Sequence, residues 1–486
     1  MIFNSVTYLL FLLLVVLLYW QLPTRQRLWL IFISSLTFYG FWRIEFVPVM
    51  LFSAIVDYVA GIQISRSHNV WRKRMFLLMS LTANLGLLFF FKYLLFATNS
   101  FIDAANYLGY SMDPVVLNII LPLGISFYTF QTISYTVDVY RGFVRPERDF
   151  LVYGCFVTFF PQLVAGPILR AGELVTQFVK RADFRLTDIG LGIRRIIYGL
   201  FLKVVLADNI SPLVDTGFEQ PVSALSAIDV WTLAFLFGFQ IYFDFSAYSH
   251  IALGSARLLG IHLPENFNFP YLANSPVEFW RRWHISLSSW IRDYLYLPLA
   301  GAKVQDRSVG GLGSAARGDQ TPKRRNTALF ATWAIMGLWH GANWTFLVWG
   351  LYHALLVFAY RMLMPLYSWF PRKVQYLGGL AITLPAAMLG WIPFRAASVA
   401  DTSVMFGTVF QPARYTWLGL HENTYLIAAL LLAGIIITYY TKNSILPLLR
   451  QRLLPAVIGE GMAFTVLIGL VFIFLRPIKQ FIYFQF

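Results

Sequence analysis

The chain has 486 residues, of which 58% are hydrophobic, 18% aromatic and only 13% Asp, Glu, Lys or Arg. Soluble globular proteins carry about 25% charged residues, and so few charges cannot cover a water-soluble particle of this length. The same numbers exclude a disordered chain, a coiled coil and a disulfide scaffold, which leaves an all-α polytopic membrane protein with a mean hydropathy of +0.63. The formal charge of +15 fits Lys and Arg gathered in cytoplasmic loops, where anionic headgroups attract them, so no nucleic-acid partner is expected. The single Cys155 has no partner for an internal disulfide and, in an apolar stretch, reads as a small core residue.

A bilayer core about 30 Å thick needs about 20 apolar residues per helix. The N-terminal stretch lacks a basic leader region and a small-residue cleavage site, so it is expected to be a retained helix. Candidate spans centre on residues 3–20, 29–42, 46–64, 75–97, 115–137, 190–208, 228–258, 328–341, 344–363, 376–394, 424–440 and 461–475, about 11–12 helices in one integral-membrane domain, 1–486. Residues 151–167, with Pro161 and Pro167, read as a re-entrant or broken segment, which is tolerated at membrane depth only where protein buries it or water wets it. Residues 301–326, rich in Gly, Ser and cations, read as a flexible cytoplasmic loop.

Basic residues fall in alternate loops: Arg25 and Arg27; Arg66 to Arg74; Arg141, Arg145 and Arg148; Lys180, Arg181 and Arg185; Lys323, Arg324 and Arg325; Lys442, Arg450 and Arg452. The intervening loops carry Asp103, Asp113, Asp208, Asp215 and Glu219. The N-terminus is therefore expected outside and the basic loops in the cytoplasm; Arg476 and Lys479 depart from that pattern.

Ionisable residues in such spans are costly and point to function. One cluster is the stretch 276–296, in which helical spacing places Trp280, Trp283, Trp290 and Ile291 on one side with His284 beside them. An interfacial helix would explain the tryptophans and arginines, but Glu278, His284 and Asp293 add more acid–base capacity than anchoring requires. The second cluster is GLWHGANW, 337–344, in which His340 lies between two apolar runs and among glycines that allow close approach of a ligand. A neutral imidazole there suits a general base, although a histidine hydrogen-bonded between packed helices has the same pattern. His353, in an apolar helix, fits packing at least as well. The seven histidines show no i, i+3 or i, i+4 pairing and no H-E-x-x-H, so no metal is expected. No Walker, Rossmann or G-x-S-x-G signature is present.

VEFWRRWHISLSSWIRDYLYLPL (277–299) and GLWHGANWTFLVWG (337–350) resemble the membrane-bound O-acyltransferase family. LPLGISFYTFQTISYTVDVYRG (121–142), FFPQLVAGPILR (159–170), QIYFDFSAYSHIALG (240–254) and the closing FIYFQF (481–486) extend the likeness and favour the branch that O-acetylates alginate. The resemblance implies a helical bundle around a funnel or tunnel, in a bacterial inner membrane. It implies transfer of acetyl from a cytoplasmic donor, acetyl-CoA, to an exported polysaccharide through periplasmic partner acetyltransferases, with no bound cofactor. It makes His340 the base and His284, an Asn in some relatives, its partner. Arg281, Arg282, Arg292, Asp293, Trp339, Asn343 and Asp244 are candidates for donor or substrate binding. His250 and Ala247 depart from the family pattern, as does the long loop from Ala300. A proton-coupled transporter or flippase, with His284, His340 and Asp244 as relay, or a non-catalytic export scaffold, are the competing readings.

Overall fold

The computed structural model describes the whole chain except residues 181, 305–315, 318–320, 446, 448–452, 478–480 and 483–486. Arg181, Arg450, Arg452, Lys479, the centre of the 301–326 loop and the last four residues of FIYFQF therefore lie outside the described residues. Apart from a two-residue antiparallel ladder, Lys303 with Arg317 and Val304 with Ala316, every regular element among them is helical.

The first apolar run folds into α1 (Val6–Gln21), whose N-terminus is capped by the Ser5 hydroxyl accepting from Tyr8 N. After it come α2 (Thr24–Gly40), α3 (Val47–Arg66) and α4 (Val70–Leu88), which continues through a π-helical turn at Phe89–Tyr93 into α5 (Leu94–Tyr107). The span centred on 115–137 is shorter than its hydropathy suggests. Residues 110–122 form no regular element, and α6 (Ile125–Arg141) begins only after Pro122 and the left-handed Gly124. A Cβ at Gly124 would stand 2.6 Å from the Leu163 carbonyl, so the chain turns where no side chain fits.

The segment read as broken is broken. After α7 (Phe150–Thr158), residues 159–169 leave the helix yet stay buried inside protein. Its N–H groups find side chains instead of a helical ladder: Phe160 donates to Ser35 Oγ at 3.1 Å and Ile168 to Ser286 Oγ at 3.0 Å. Then come α8 (Ala171–Val179) and α9 (Leu186–Leu200), a π-helical stretch at Phe201–Ala207, α10 (Asp208–Glu219) and α11 (Ala227–Leu258). At 32 residues α11 is the longest helix described, started by a Ser226–Asp229 capping box and buried along most of its length against α9, α10 and the later helices Arg372–Leu389 and Glu422–Tyr440.

The stretch 276–296 is not one helix. It divides into α12 (Pro276–Arg282), α13 (Ile285–Ile291) and a π-helical turn, Arg292–Tyr296, leading into α14 (Leu297–Leu299). The remainder is α15 (Pro322–His340), α16 (Trp344–Tyr367), α17 (Arg372–Leu389), α18 (Ile392–Arg395), α19 (Val399–Val409), α20 (Glu422–Tyr440) and α21 (Leu453–Ile473). Because α15 starts at Pro322, the last five residues of the 301–326 loop are helical.

Six helical stretches among the described residues are long and apolar enough to cross a membrane, and Val6–Gln21 and Gly459–Ile473 are apolar but shorter. Leu10, Leu13, Leu14, Leu426 and Leu430 stand exposed on such helices, as lipid-facing residues must. The protein is a multi-pass membrane protein, and its core runs unbroken from Phe3 to Phe481. Cys155 lies within that core, its thiol 3.2 Å from Leu28 O.

Candidate active site

Two glycines bring α15 and α16 into backbone contact. A Cβ at Gly337 would lie 2.2 Å from Phe346 O, and one at Gly350 would lie 2.2 Å from Trp333 O. This crossing holds His340, the last residue of α15, edge-on to Trp349 with ring centroids 4.8 Å apart; Trp339 and Phe394 flank it at 4.9 and 5.3 Å. The imidazole is almost wholly buried. Asn343 begins the next helix, its side-chain oxygen accepting from Thr345 N at 3.1 Å, so its visible work is to cap α16.

His284 sits at the break between α12 and α13, fully buried, with the left-handed φ of 41°. That break overturns the single helical face expected for the tryptophans. Trp280 packs on Trp333 and Trp349, Trp283 on Phe279 and Trp391, and Trp290 stacks on Phe130 at 3.9 Å. Asn266, from the loop after α11, holds the break in place. Its carbonyl accepts from Ile285 N at 2.9 Å; its side-chain Oδ1 accepts from Ser286 N at 3.2 Å and Ser286 Oγ at 2.9 Å. His284 Nδ1 is 3.1 Å from the same Oδ1. An oxygen with no hydrogen of its own requires the proton on Nδ1, which makes the other ring nitrogen an acceptor. Phe245 and Phe127 close around the ring at 4.6 and 6.3 Å. His284, His353 and Lys92 all stand within electrostatic reach of His340.

The space around these groups is divided in two. A cavity of about 430 Å³ is bounded by the start of the chain (Met1, Ile2, Ser5), by Lys92, by Gly124 to Phe127, and by Trp339 and His340. A second, of about 280 Å³, is lined by Arg281, Arg292 and Arg361 together with Trp280, Trp333 and Met336. The two share no lining residue. Helix α15 serves both, passing the arginine cavity with Leu329, Trp333 and Met336 and reaching the other with Trp339 and His340. Trp280, which lines the arginine cavity, and Trp349, which packs on His340, each meet His353 edge to face with ring centroids 5.0 Å apart. His353 Nε2 has no hydrogen-bond partner among the described residues, and a Cβ on Gly390 would stand 2.7 Å from it.

The remaining candidates divide by partner. Arg281 and Arg292 face the second cavity, whereas Arg282 turns to Glu278 at 2.5 Å. Asp293 binds Arg170 at 2.5 Å, and its neighbour Tyr294 donates to Asp138 Oδ2 at 2.7 Å. Asp244 is taken up by Lys203 at 2.6 Å and by Ile482 N at 2.7 Å, a tie between α11 and the end of the chain. His250 lies 3.2 Å from Arg195, which in turn pairs with Glu265. Sequence reasoning missed Lys92, Asn266 and Arg361. Lys92 and Arg361 each carry a charge within or beside an apolar run, a signal that was present; Asn266 carries none. No group of three or more His, Cys, Asp or Glu converges among the described residues.

Residues 147–310 match the family model described as MBOAT, membrane-bound O-acyltransferase family, a range that contains His284. The chain is 37% identical over 451 residues to the probable alginate O-acetylase AlgI of Azotobacter vinelandii, covering 90% of this chain and 85% of that protein. It is 36% identical over 407 residues to the peptidoglycan O-acetyltransferase of Helicobacter pylori, covering 78% and 72%. Over 266 residues it is 29% identical to the teichoic acid D-alanyltransferase of Bacillus subtilis, covering 52% and 63%. All three are named as acyl-transferring enzymes, which favours an enzyme over a transporter or scaffold. The chain belongs to the membrane-bound O-acyltransferase family and is a multi-pass membrane acyltransferase.

Proposed function

We propose that the protein takes an acetyl group from cytoplasmic acetyl-CoA and passes it across a bacterial inner membrane for O-acetylation of an exported polysaccharide such as alginate, through periplasmic partner acetyltransferases. The observation that carries this reading is the position of His340 on one cavity while three arginines line another along the same helix. Guanidinium groups suit the phosphates of coenzyme A, and those phosphates cannot cross hydrocarbon unaided. The arginine cavity lies toward the basic start of α15, Lys323 to Arg325, and the other beside the N-terminus. The positive-inside pattern assigns the first to the cytoplasm and the second to the far side. The alginate O-acetylase relatives support a polysaccharide destination.

In this reaction His340 accepts the proton of the acceptor hydroxyl as its oxygen attacks the thioester carbonyl. The carbon–sulfur bond then breaks, and the imidazolium returns the proton to the thiolate, giving an ester and free coenzyme A. His284, protonated on Nδ1 toward Asn266, offers its other nitrogen as an acceptor and so orients the proton-carrying groups rather than polarising the carbonyl. An Asn at this position offers an amide oxygen for the same purpose. Trp280, Trp349 and His353 stand between the cavities, so the donor's thioester reaches His340 only when these rings part.

The test is release of free thiol from acetyl-CoA by the purified protein with an acceptor supplied. General-base catalysis contributes about 10²–10⁴-fold, so His340→Ala should lower the rate by that factor while the protein still purifies folded. A His340→Ala protein with a near-native rate would overturn the assignment.

A further inference from the structure

Helix α13 joins two groups that the transfer needs in register, His284 at its N-terminus and Arg292 just past its last residue, on the arginine cavity. The π-helical turn Arg292–Tyr296 sends Arg292 and Tyr296 to that cavity and Asp293 and Tyr294 to other partners. Away from the cavity, α13 is gripped at both ends by the broken segment 159–169 and the Arg170 that follows it. At the start, Ile168 N donates to Ser286 Oγ at 3.0 Å, beside the Asn266 that fixes His284. At the far end, Arg170 pairs with Asp293 Oδ2 at 2.5 Å, while the other carboxylate oxygen stands 3.9 Å from Arg292 Nη1. A carboxylate beside a phosphate-binding arginine repels the phosphate unless a second cation answers it, and Arg170 is that cation. Tyr294 adds a further hold. It donates to Asp138 Oδ2 at 2.7 Å, with the Arg141 and Arg170 guanidiniums 5.5 and 5.9 Å from its ring centre. Neither Arg170 nor Tyr294 has a part in the chemistry described above.

We propose that Arg170 and Tyr294 are positioning residues for the donor. Together they fix the turn that carries Arg292, and so set where its guanidinium meets the phosphates of coenzyme A. This role rests on the reading that the arginine cavity receives the donor. The broken segment then acts as a brace on α13, keeping His284 and Arg292 a fixed helical rise apart, about 1.5 Å per residue. Asp293 belongs to the brace and not to the donor itself. Without the brace the turn re-packs, the Asp293 carboxylate turns to Arg292, and the donor's phosphates lose that partner. A ligand without phosphates loses nothing.

The test is equilibrium dialysis of radiolabelled coenzyme A against the purified protein in detergent, with phosphate-free pantetheine as competitor. Loss of one hydrogen bond corresponds to about fivefold in Kd. Tyr294→Phe and Arg170→Gln should each raise Kd for coenzyme A by about that factor and leave the competition constant of pantetheine in place. Arg170→Lys keeps a charge beside Asp293 and should lie closer to the wild type. Unchanged coenzyme A affinity in Tyr294→Phe overturns the proposal, whether or not Arg170→Gln folds. Equal weakening of coenzyme A and pantetheine makes the two residues part of the fold alone and overturns it too. Arg361→Glu separates this role from the reading beneath it. If that variant binds coenzyme A weakly while Tyr294→Phe and Arg170→Gln bind it as the wild type does, the donor cavity stands and the brace fails. Wild-type affinity for coenzyme A in Arg361→Glu, or no measurable binding by the wild type, overturns both.

Discussion

At φ 41°, His284 holds a conformation that costs a side chain of its size about 1–3 kcal/mol. The Asn266 carbonyl and amide oxygens offset that strain by binding Ile285 N, Ser286 and the imidazole together. The pair His284–Asn266 therefore fixes both the break in the chain and the tautomer of the ring. If orientation by an acceptor atom is the role, His284→Asn should keep substantial thiol-release activity and His284→Ala should lose most of it. Equal losses in both, measured as kcat on folded protein, would instead assign proton transfer to the imidazole. Both histidines were legible in the sequence, because each interrupts an apolar or aromatic run with a titratable group. Lys92, Asn266 and Arg361 were not singled out: Lys92 stands 248 residues before His340, and although Asn266 is only 18 residues before His284 and Arg361 lies on the helix after His340, packing alone shows that they meet the site.

The α15–α16 crossing sets the position of His340 at the scale of elements. Gly337 and Gly350 leave no room for a methyl group against the facing carbonyls, so the helices approach as closely as their backbones allow. Gly350→Val should force them apart, with overpacking costs of about 1–3 kcal/mol and a displaced imidazole. A lowered Tm together with a loss of kcat larger than any change in KM is the expected result; unchanged kcat would show that the crossing does not aim His340. Most helices were legible as apolar runs of the right length, from α1 and α3 to α16 and α20. The breaks were less so. In 276–296 the 3.6-residue spacing of tryptophans continues through His284, so periodicity alone reads a straight helix where the Asn266 network imposes a turn. In 110–122 an apolar segment forms no helix because Pro114, Pro122 and the left-handed Gly124 work against one there.

At the scale of the whole molecule, α15 links two cavities of different chemistry, and Trp280, Trp349 and His353 part them. The broad architecture followed from composition, since few charges and long apolar runs admit only a membrane bundle. The division of its interior did not, because the lining residues come from six separated segments in one cavity and four in the other. If Arg281, Arg292 and Arg361 hold the donor's phosphates, Arg361→Glu should raise KM for acetyl-CoA by about tenfold or more. The same change should leave KM for a phosphate-free thioester such as S-acetyl-N-acetylcysteamine nearly unaltered. Equal effects on both donors would remove the phosphates from that cavity.

Transfer from one face to the other is the claim on which the rest depends. Its most direct measurement uses the protein reconstituted in one orientation in sealed vesicles, with radiolabelled acetyl-CoA confined to one side and an acceptor on the other. Thiol release should occur only when the donor is on the side of Arg66, Arg72, Lys323 and Arg325, with labelled ester appearing on the opposite side and both signals lost in His340→Ala. Labelled ester on the donor's own side, or thiol release from either face alike, would contradict a transfer that crosses the membrane through this bundle.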